Sequence, residues 1–344
     1  MPRAHRRLPA ALAAIAAIAV LALLPGIAPA HHSSALVYDR GKIVEAQGTV
    51  TEVAWTNPHV RFKVRGAGPD GVERVWDVET NSVSTISRFG LTEGLVTVGD
   101  RVRFAGNPGR ARDDVMWVTN MLLPNGAEIL FGNGIQARFS ERTIGTDIRS
   151  AVAADTANRG FFRVWTNATN PNVFWGENLP LTEAAAAVRA EHDPATDDPT
   201  LNCTPKGMPY IMEEPYPVEF VDEGERLLLK LEEYDTVRRI SMTGQADGRY
   251  NGGPARLGTS IGRWEGSTLV VETDDIDYGF VNGNGIPLGP EASIEERFTM
   301  NDDGSRLEYA MTINDPSTFT EPVTLHKVWE WRPGERVRPY DCRR

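Results

Sequence analysis

The stretch TSIGRWEGSTLVVETDD, residues 259–275, contains two runs of β-branched and apolar residues around a central Glu265-Gly266 pair. Such runs on either side of a glycine-containing turn are typical of a β-hairpin. Similar runs lie before and after it at short intervals, separated by turn-forming residues. This pattern predicts a larger antiparallel β-barrel or sandwich over residues 159–344, with strands in GFFRVWTN, YPVEFVD, RLLLKLEEY, TVRRISMTG, SIEERFTMN, SRLEYAMTIN and VTLHKVWEWRP.

The first half of the chain has a different order of elements. Strand signals dominate from Glu45 to about Ile129, with one short helix-like segment ending at Gly90 after the third strand. The order of three strands, a helix and two strands is typical of a small five-stranded OB-like barrel, predicted here over residues 31–131. The chain is therefore predicted to be mainly β, with a linker at 132–158 and a short helix at 181–192 that Thr182 caps.

The N-terminus has the pattern of a cleaved signal peptide. Arg3, Arg6 and Arg7 precede an apolar run, and the small residues 28–30 end it, which predicts cleavage of residues 1–30 and a periplasmic or secreted protein. Cleavage would change the formal charge from −11 to −14. This acidity argues against nucleic acid as a partner, and no later stretch is long enough for stable membrane insertion.

The chain contains two cysteines, Cys203 and Cys342. Two cysteines in an exported chain are most often paired, which predicts a disulfide between them. A redox-active pair is the alternative, although the close Cys-x-x-Cys spacing of such pairs is missing. The disulfide would attach the C-terminus to an early part of the second barrel.

Two sets of motifs resemble known proteins. The start of the mature chain and the sequence Trp-Thr-Asn-Pro-His at 55–59 resemble a family of uncharacterised secreted bacterial proteins that begin with His-His-Ser, over residues 31–131. The second half is similar to lipocalin-like domains through CTPKGMPYIM, PYPVEF, YDTVRRI and GRWEGSTLVVET, although Thr259 stands where that family often has histidine. The resemblance implies a lipocalin-like barrel but no particular reaction.

The histidines suggest a metal site. Cleavage after Ala30 would make His31 the first residue, so that its α-amine and imidazole chelate one metal ion and a second imidazole adds a third nitrogen. This ligand set is similar to the histidine brace of copper monooxygenases and of some periplasmic copper carriers, and nitrogen ligands favour Cu(II). His59, after the turn residues Asn57-Pro58, is the candidate third ligand, and His32 is a further candidate. The alternative is a polar terminus and a structural His59.

Five side chains in the second half are candidates for a small-molecule site. Aromatic residues often line the mouth of a barrel, but more often they form the core. An inward arginine on a strand either pairs with a glutamate or anchors an acidic ligand. The candidates are Trp165, Trp264 and Trp329 with Arg238 and Arg239.

Other motifs point to chemistry less specifically. Residues 258–262 match the G-x-S-x-G pattern of a nucleophilic serine, but a strand rather than the required helix is predicted after Ser260. Paired acidic residues of the second half are typical of turns as well as of glycosidases. The acidic segment 274–285 suggests a Ca²⁺ loop, but it lacks the EF-hand spacing.

An exported binding protein is the function that these observations favour, because no complete catalytic set is apparent in the sequence. Its ligand would be a small molecule, with an additional copper site at His31 and His59. The alternative is an enzyme that acts on a small, largely apolar substrate inside the second barrel. The sequence leaves the ligand and the oligomeric state open.

Overall fold

The computed structural model describes residues 37–132, 134–145, 160–168, 178–193 and 196–342. It confirms a mainly β protein with a small five-stranded barrel followed by a larger barrel of nine strands. None of the helices within these ranges has the length and hydropathy needed to cross a membrane. The predicted signal peptide lies outside the described residues.

The first barrel is formed by five strands and one helix. Neighbouring strands follow the order β3-β2-β1-β4-β5, and a parallel pairing of β3 with β5 closes the barrel. Because the helix lies between the third and fourth strands, both the topology and the element order are those of the predicted OB-like barrel. The elements are β1 (Val44–Ala54), β2 (Arg61–Ala67), β3 (Glu73–Glu79), α1 (Val83–Arg88), β4 (Arg101–Pro108) and β5 (Val115–Leu122).

Alternation along the strands produces the core of this barrel. In β2, Phe62 and Val64 are fully buried, whereas Lys63 between them and Arg65 after them are exposed. Close contact between strands requires glycine at position 106, because a Cβ there would lie 2.0 Å from a backbone oxygen of β5. Two short strands extend the sheet beyond the barrel, β6 (Glu128–Leu130) and β7 (Thr143–Ile144), so the predicted linker contains one strand.

The second barrel closes through nine strands in the order β10-β11-β12-β13-β14-β15-β16-β8-β9. The hairpin predicted at Glu265-Gly266 is confirmed by the antiparallel pairing of β12 with β13. The strands are β8 (Val164–Asn167), β9 (Val218–Asp222), β10 (Arg226–Leu231), β11 (Thr236–Ser241), β12 (Thr259–Glu265), β13 (Thr268–Asp274), β14 (Ser293–Met300), β15 (Arg306–Asn314) and β16 (Val323–Glu330).

One pairing differs from the predicted antiparallel barrel. Strands β11 and β12 run parallel, with Ile240 opposite Ser260. Segment 242–258 between them contains two short 3-10 helices, Arg249–Gly252 and Ala255–Leu257, and returns the chain to the end of the barrel where β11 began. The turn residues in this segment predict a break in the strand pattern but not the direction of the next strand.

The predicted helix of the second half is confirmed as α2 (Glu183–Glu191). The side chain of Thr182 accepts a hydrogen bond from the amide of Ala185, as expected for an N-cap. Three further 3-10 helices lie at Pro199–Asn202, Tyr210–Met212 and Glu233–Asp235.

Candidate functional site

His59 lies at the edge of the first barrel, just before β2, with its side chain 18% exposed. Its Nδ1 is 2.9 Å from the carbonyl oxygen of Thr80, and because a carbonyl only accepts hydrogen bonds, Nδ1 carries the proton. The ring also contacts the edge of Trp117, with 5.3 Å between the ring centroids. Burial lowers the pKa of His59, which favours a neutral ring whose Nε2 is an acceptor or a metal ligand.

Glu79, the last residue of β3, faces this nitrogen. One carboxylate oxygen, Oε1, lies 3.7 Å from Nε2 of His59 and 3.4 Å from a guanidinium nitrogen of Arg61. The other oxygen accepts a 2.6 Å hydrogen bond from the hydroxyl of Tyr38. Glu79 was not among the residues predicted from the sequence, because a single acid at the end of a strand is not distinctive. The available signal was the strand pairing, which sets Arg61 opposite Glu79.

The chain enters the first barrel beside His59. Tyr38 pairs with Gly109 in an isolated antiparallel bridge, and the amide of Arg110 donates to the carbonyl of Val37. The Tyr38 ring packs against Trp117, the same indole that contacts His59, with 5.7 Å between centroids. The start of the described chain is therefore held close to His59, because Tyr38 and His59 both face the carboxylate of Glu79.

The other predicted copper ligands, His31 and His32, lie outside the described residues. Within the described ranges, no group of three or more His, Cys, Asp and Glu side chains is arranged to hold a metal ion. A metal site that uses His59 would therefore need ligands from outside the described residues.

The predicted disulfide joins Cys203 to Cys342. Next to it, the amide of Asn57 donates to the carbonyl of Asp341, and Asn57 pairs with Cys342 in a parallel bridge. The Asn57 side chain accepts a hydrogen bond from the amide of Val83 at the start of α1. The disulfide therefore anchors the C-terminal segment of the second barrel against the loop that carries His59.

An ion pair adds to this contact between the barrels. The Arg88 guanidinium, at the end of α1, donates two hydrogen bonds of 2.9 and 3.0 Å to the fully buried carboxylate of Glu232. It also contacts Glu335 at 3.1 Å. Both bonds to Glu232 come from Nη2, whereas Nε donates to Glu335, so Arg88 bridges two carboxylates of the second barrel.

Side chains fill the interior of the second barrel. Trp165 and Trp329 are fully buried, and the Trp165 indole donates to the carbonyl of Phe161. These two tryptophans belong to the core in this structure, so their ligand-binding role stays a prediction. An enzyme that acts inside the barrel, the alternative function, gains no support from this packing.

Arg238 is the inward arginine of β11, and Arg239 lies half-buried on the other face. The Arg238 guanidinium is 1% exposed and forms an ion pair with Glu296, which is completely buried. Ser260 and Thr273 also contact the guanidinium, and Tyr309 donates a 2.7 Å hydrogen bond to Glu296. Of the two open roles for an inward arginine, the structure shows the pairing with glutamate.

Ser260 of the G-x-S-x-G match is a member of this buried cluster. It is completely buried, and β12 continues through it into a hairpin rather than into a helix. The structure of a nucleophile elbow is therefore missing at this position.

Trp264 differs from the other candidate tryptophans because it is 41% exposed. It borders a groove of about 440 Å³ at one end of the second barrel. Phe162, Leu227 and Met242 add apolar surface, and Asp222 and Arg263 add charge. The volume falls within the range of small-molecule sites, about 300–1,000 Å³.

A second set of buried charges lies at the junction of the barrels. Lys206 contacts Glu214 and Glu233, and above all the Glu214 carboxylate holds its pKa well above the usual range although burial opposes this. Burial raises the pKa of Glu233 to about 8, and burial lowers the pKa of Lys327 to about 8. The cavity beside Glu233 and Lys327 measures about 10 Å³. It is too small for an organic substrate.

Comparison with known proteins adds one match. The profile of DUF6152, a family of unknown function, matches residues 19–115, which contain His31, His59 and Glu79. This stretch covers β1 to β4 and overlaps the resemblance seen in the sequence. No curated protein matches the chain.

Proposed function

We propose that the protein is an exported binding protein that holds a copper ion between His31, as the first residue of the mature chain, and His59. The single observation that supports this proposal is the position of Tyr38, which is held next to His59 through Glu79 and Trp117. His31 lies seven positions before Tyr38, and an extended chain of seven residues spans about 23 Å. The first residue of the mature chain can therefore reach His59.

The arrangement of His59 also suits a metal ligand. Metal-binding histidines usually donate their second ring N–H to a carbonyl or a carboxylate, which fixes the orientation of the ring. The Nδ1 of His59 donates in this way to the carbonyl of Thr80. The α-amine and imidazole of His31 with Nε2 of His59 would form a set of three nitrogens, which favours Cu(II) over other divalent ions.

The test begins with the mature N-terminus, determined by mass spectrometry of the exported protein, and continues with Cu(II) titration and electron spin resonance. We expect a chain that begins at His31 and a spectrum of a nitrogen-rich copper site. His59→Ala should weaken binding by about a hundredfold or more, since loss of an outer-shell partner alone costs 10- to 100-fold. A matched variant that retains Ala30 before His31 keeps both imidazoles but removes the chelating amine, and it should lose tight binding. A mature chain that begins elsewhere, or equal affinity in all three proteins, would overturn the proposal.

The groove at Trp264 favours a second candidate function, in which a lipocalin-like second barrel binds a small, largely apolar molecule at its mouth. The supporting observation is a large exposed aromatic side chain beside other apolar residues in a groove of suitable volume. A panel of fatty acids, terpenoids and aromatic compounds should raise the melting temperature if one binds. Trp264→Ala should abolish the shift, whereas Ile43→Ala, which removes an equally exposed apolar side chain from the first barrel, should preserve it.

A further inference from the structure

We infer that the groove at Trp264 selects an organic cation, a molecule with an apolar body and a positively charged amine. This inference rests on the second candidate function proposed above, because it names the class of ligand for that groove. The lining combines aromatic and aliphatic side chains with the carboxylate of Asp222. An apolar surface beside an open negative charge is complementary to such a molecule.

Asp222 supplies the negative charge of the groove. It ends β9, directly before the turn that leads into β10, and it is exposed. Its Oδ1 accepts a 2.8 Å hydrogen bond from the amide of Gly224. Its other oxygen, Oδ2, makes no hydrogen bond or ion pair with any residue that the structure describes. One oxygen therefore fixes the carboxylate at the rim of the groove, and the second is left for a ligand.

Arg263 also lines the groove, but its charge is already balanced. Its guanidinium contacts two carboxylates, that of Glu265 at 3.0 Å and that of Glu272 at 2.5 Å. An anionic ligand would have to compete with both acids for this guanidinium. A cationic ligand meets an open carboxylate instead, so the charges of the groove favour the cation.

The surroundings of the groove are acidic as well. The turn between β9 and β10, residues 222–226, contains three acids and one arginine. That arginine, Arg226, contacts Glu223 at 3.1 Å and Asp247 at 3.5 Å. The chain as a whole has a formal net charge of −11. This excess of negative charge attracts cations to the surface and repels anions.

The aromatic side chains of the groove suit both parts of the ligand. The rings of Phe162 and Trp264 lie edge to face with 6.2 Å between their centroids, and Trp264 is 41% exposed. A cation within about 6 Å of the centre of an indole is attracted by the negative face of the ring. Leu227 and Met242 add apolar surface for the rest of the molecule.

The test uses three probes that share a phenylalkyl body and differ in the end group: 4-phenylbutylamine, 4-phenylbutanol and 4-phenylbutyrate. Titration calorimetry measures their affinities for the exported protein at low ionic strength. We expect the amine to bind about 3- to 10-fold more tightly than the alcohol, since an exposed ion pair and a cation–π contact each contribute modestly. The carboxylate should bind most weakly, and about 0.5 M NaCl should reduce the preference for the amine.

Two variants test the role of the carboxylate. Asp222→Asn keeps an oxygen that accepts from Gly224 but removes the charge, so it should abolish the preference for the amine and leave the affinity for the alcohol unchanged. Glu321→Gln is the matched control, because it removes the same charge from an exposed position between β15 and β16, at the opposite end of the barrel. Trp264→Ala should weaken the binding of all three probes.

The outcomes separate this inference from the function on which it rests. If neither these probes nor any compound of the wider panel binds, the second candidate function fails and the inference fails with it. If the groove binds apolar compounds but not the amine more tightly than the alcohol, or if Asp222→Asn retains the preference, only the selection of a cation by Asp222 is wrong. A preference that is lost in Asp222→Asn and retained in Glu321→Gln supports the inference.

Discussion

The two barrels each place a carboxylate against a basic side chain, and they do so differently. In the second barrel, Glu296 and Arg238 are 0% and 1% exposed and form a direct ion pair. In the first barrel, Glu79 and His59 are 6% and 18% exposed and remain 3.7 Å apart. The first arrangement is a direct ion pair inside the barrel, whereas the second holds a carboxylate and an imidazole at a longer distance at the edge of a barrel.

This difference separates a structural cluster from a candidate binding site. Arg238 is surrounded by acceptors, and Glu296 also receives the hydroxyl of Tyr309. Removing one partner of a buried pair leaves an uncompensated charge, so such a pair is sensitive to substitution. The pair at the edge of the first barrel should instead be sensitive to ligands.

The largest expected effect is on stability and comes from the buried pair of Arg238 and Glu296. Arg238→Met should lower the free energy of unfolding by about 3–5 kcal/mol, because Glu296 is left buried without its cation. Urea unfolding followed by circular dichroism measures this change. His59→Gln is the comparison variant at the first-barrel pair, and it should cost about 1–2 kcal/mol, because it removes one hydrogen bond and a ring contact while Glu79 keeps Arg61. Similar losses in both variants would show that the two pairs are structurally equivalent.

The next largest effect concerns the disulfide between Cys203 and Cys342, which holds the C-terminal segment beside the first barrel. Replacing Cys203 and Cys342 together by serine should destabilise the protein by about 2–5 kcal/mol, because the unfolded chain gains the freedom of a long loop. The C-terminal segment would also lose its attachment beside Asn57. Denaturant unfolding of the oxidised wild type, the reduced wild type and the double variant measures the effect. Equal stability of the oxidised wild type and the double variant would contradict it.

A third carboxylate, Glu233, is buried and, among the described residues, has a partner at only one of its oxygens. Its environment predicts that the stability of the protein depends on pH. It contacts Lys206 at 2.8 Å through one oxygen, while its other oxygen has no hydrogen-bond partner in the described part of the chain. Burial raises the pKa of Glu233 from 4.5 to about 8, so the folded protein retains this proton where the unfolded chain loses it. The contribution of this group to the free energy of unfolding is therefore largest below pH 4.5. It falls as the pH rises from 4.5 and is lost once the pH passes about 8.

Glu233→Gln should therefore remove part of the decline in stability between pH 5 and pH 8. Unfolding curves of the wild type and the variant at both pH values provide the measurement. Glu219→Gln, at a half-buried ion pair between β9 and β10, is the control and should leave the pH dependence unchanged. A wild-type decline that persists in full in Glu233→Gln would show that other groups cause it.

The smallest expected effect on stability is at the groove of the second barrel. Trp264→Ala should lower the free energy of unfolding by only about 1 kcal/mol, because the side chain is 41% exposed and only its covered part packs against Phe161 and Phe162. Trp329→Ala, the buried counterpart, should cost about 3–5 kcal/mol. Thermal unfolding of the two variants compares them, and a similar loss in both would make Trp264 a core residue rather than a surface for ligands.

Much of the fold was predictable because it depends on local patterns. Alternation along β2, the turn at Glu265-Gly266 and the N-cap at Thr182 each involve residues close in sequence. The parallel pairing of β11 with β12 was not predictable, since it depends on how segment 242–258 packs. Candidate sites were less predictable than strands, because an inward tryptophan and a tryptophan at the mouth have the same local pattern.

The sequence alone determined the alternation of apolar residues, the order of elements in the first barrel, and the presence of two cysteines for one disulfide. Only the tertiary structure brought Glu79 to His59 and separated Trp264 from Trp165. Local patterns record which face of a strand is buried, because burial depends on a period of two residues. The distance between two side chains of different strands depends on register and on barrel closure, which no short stretch of sequence specifies.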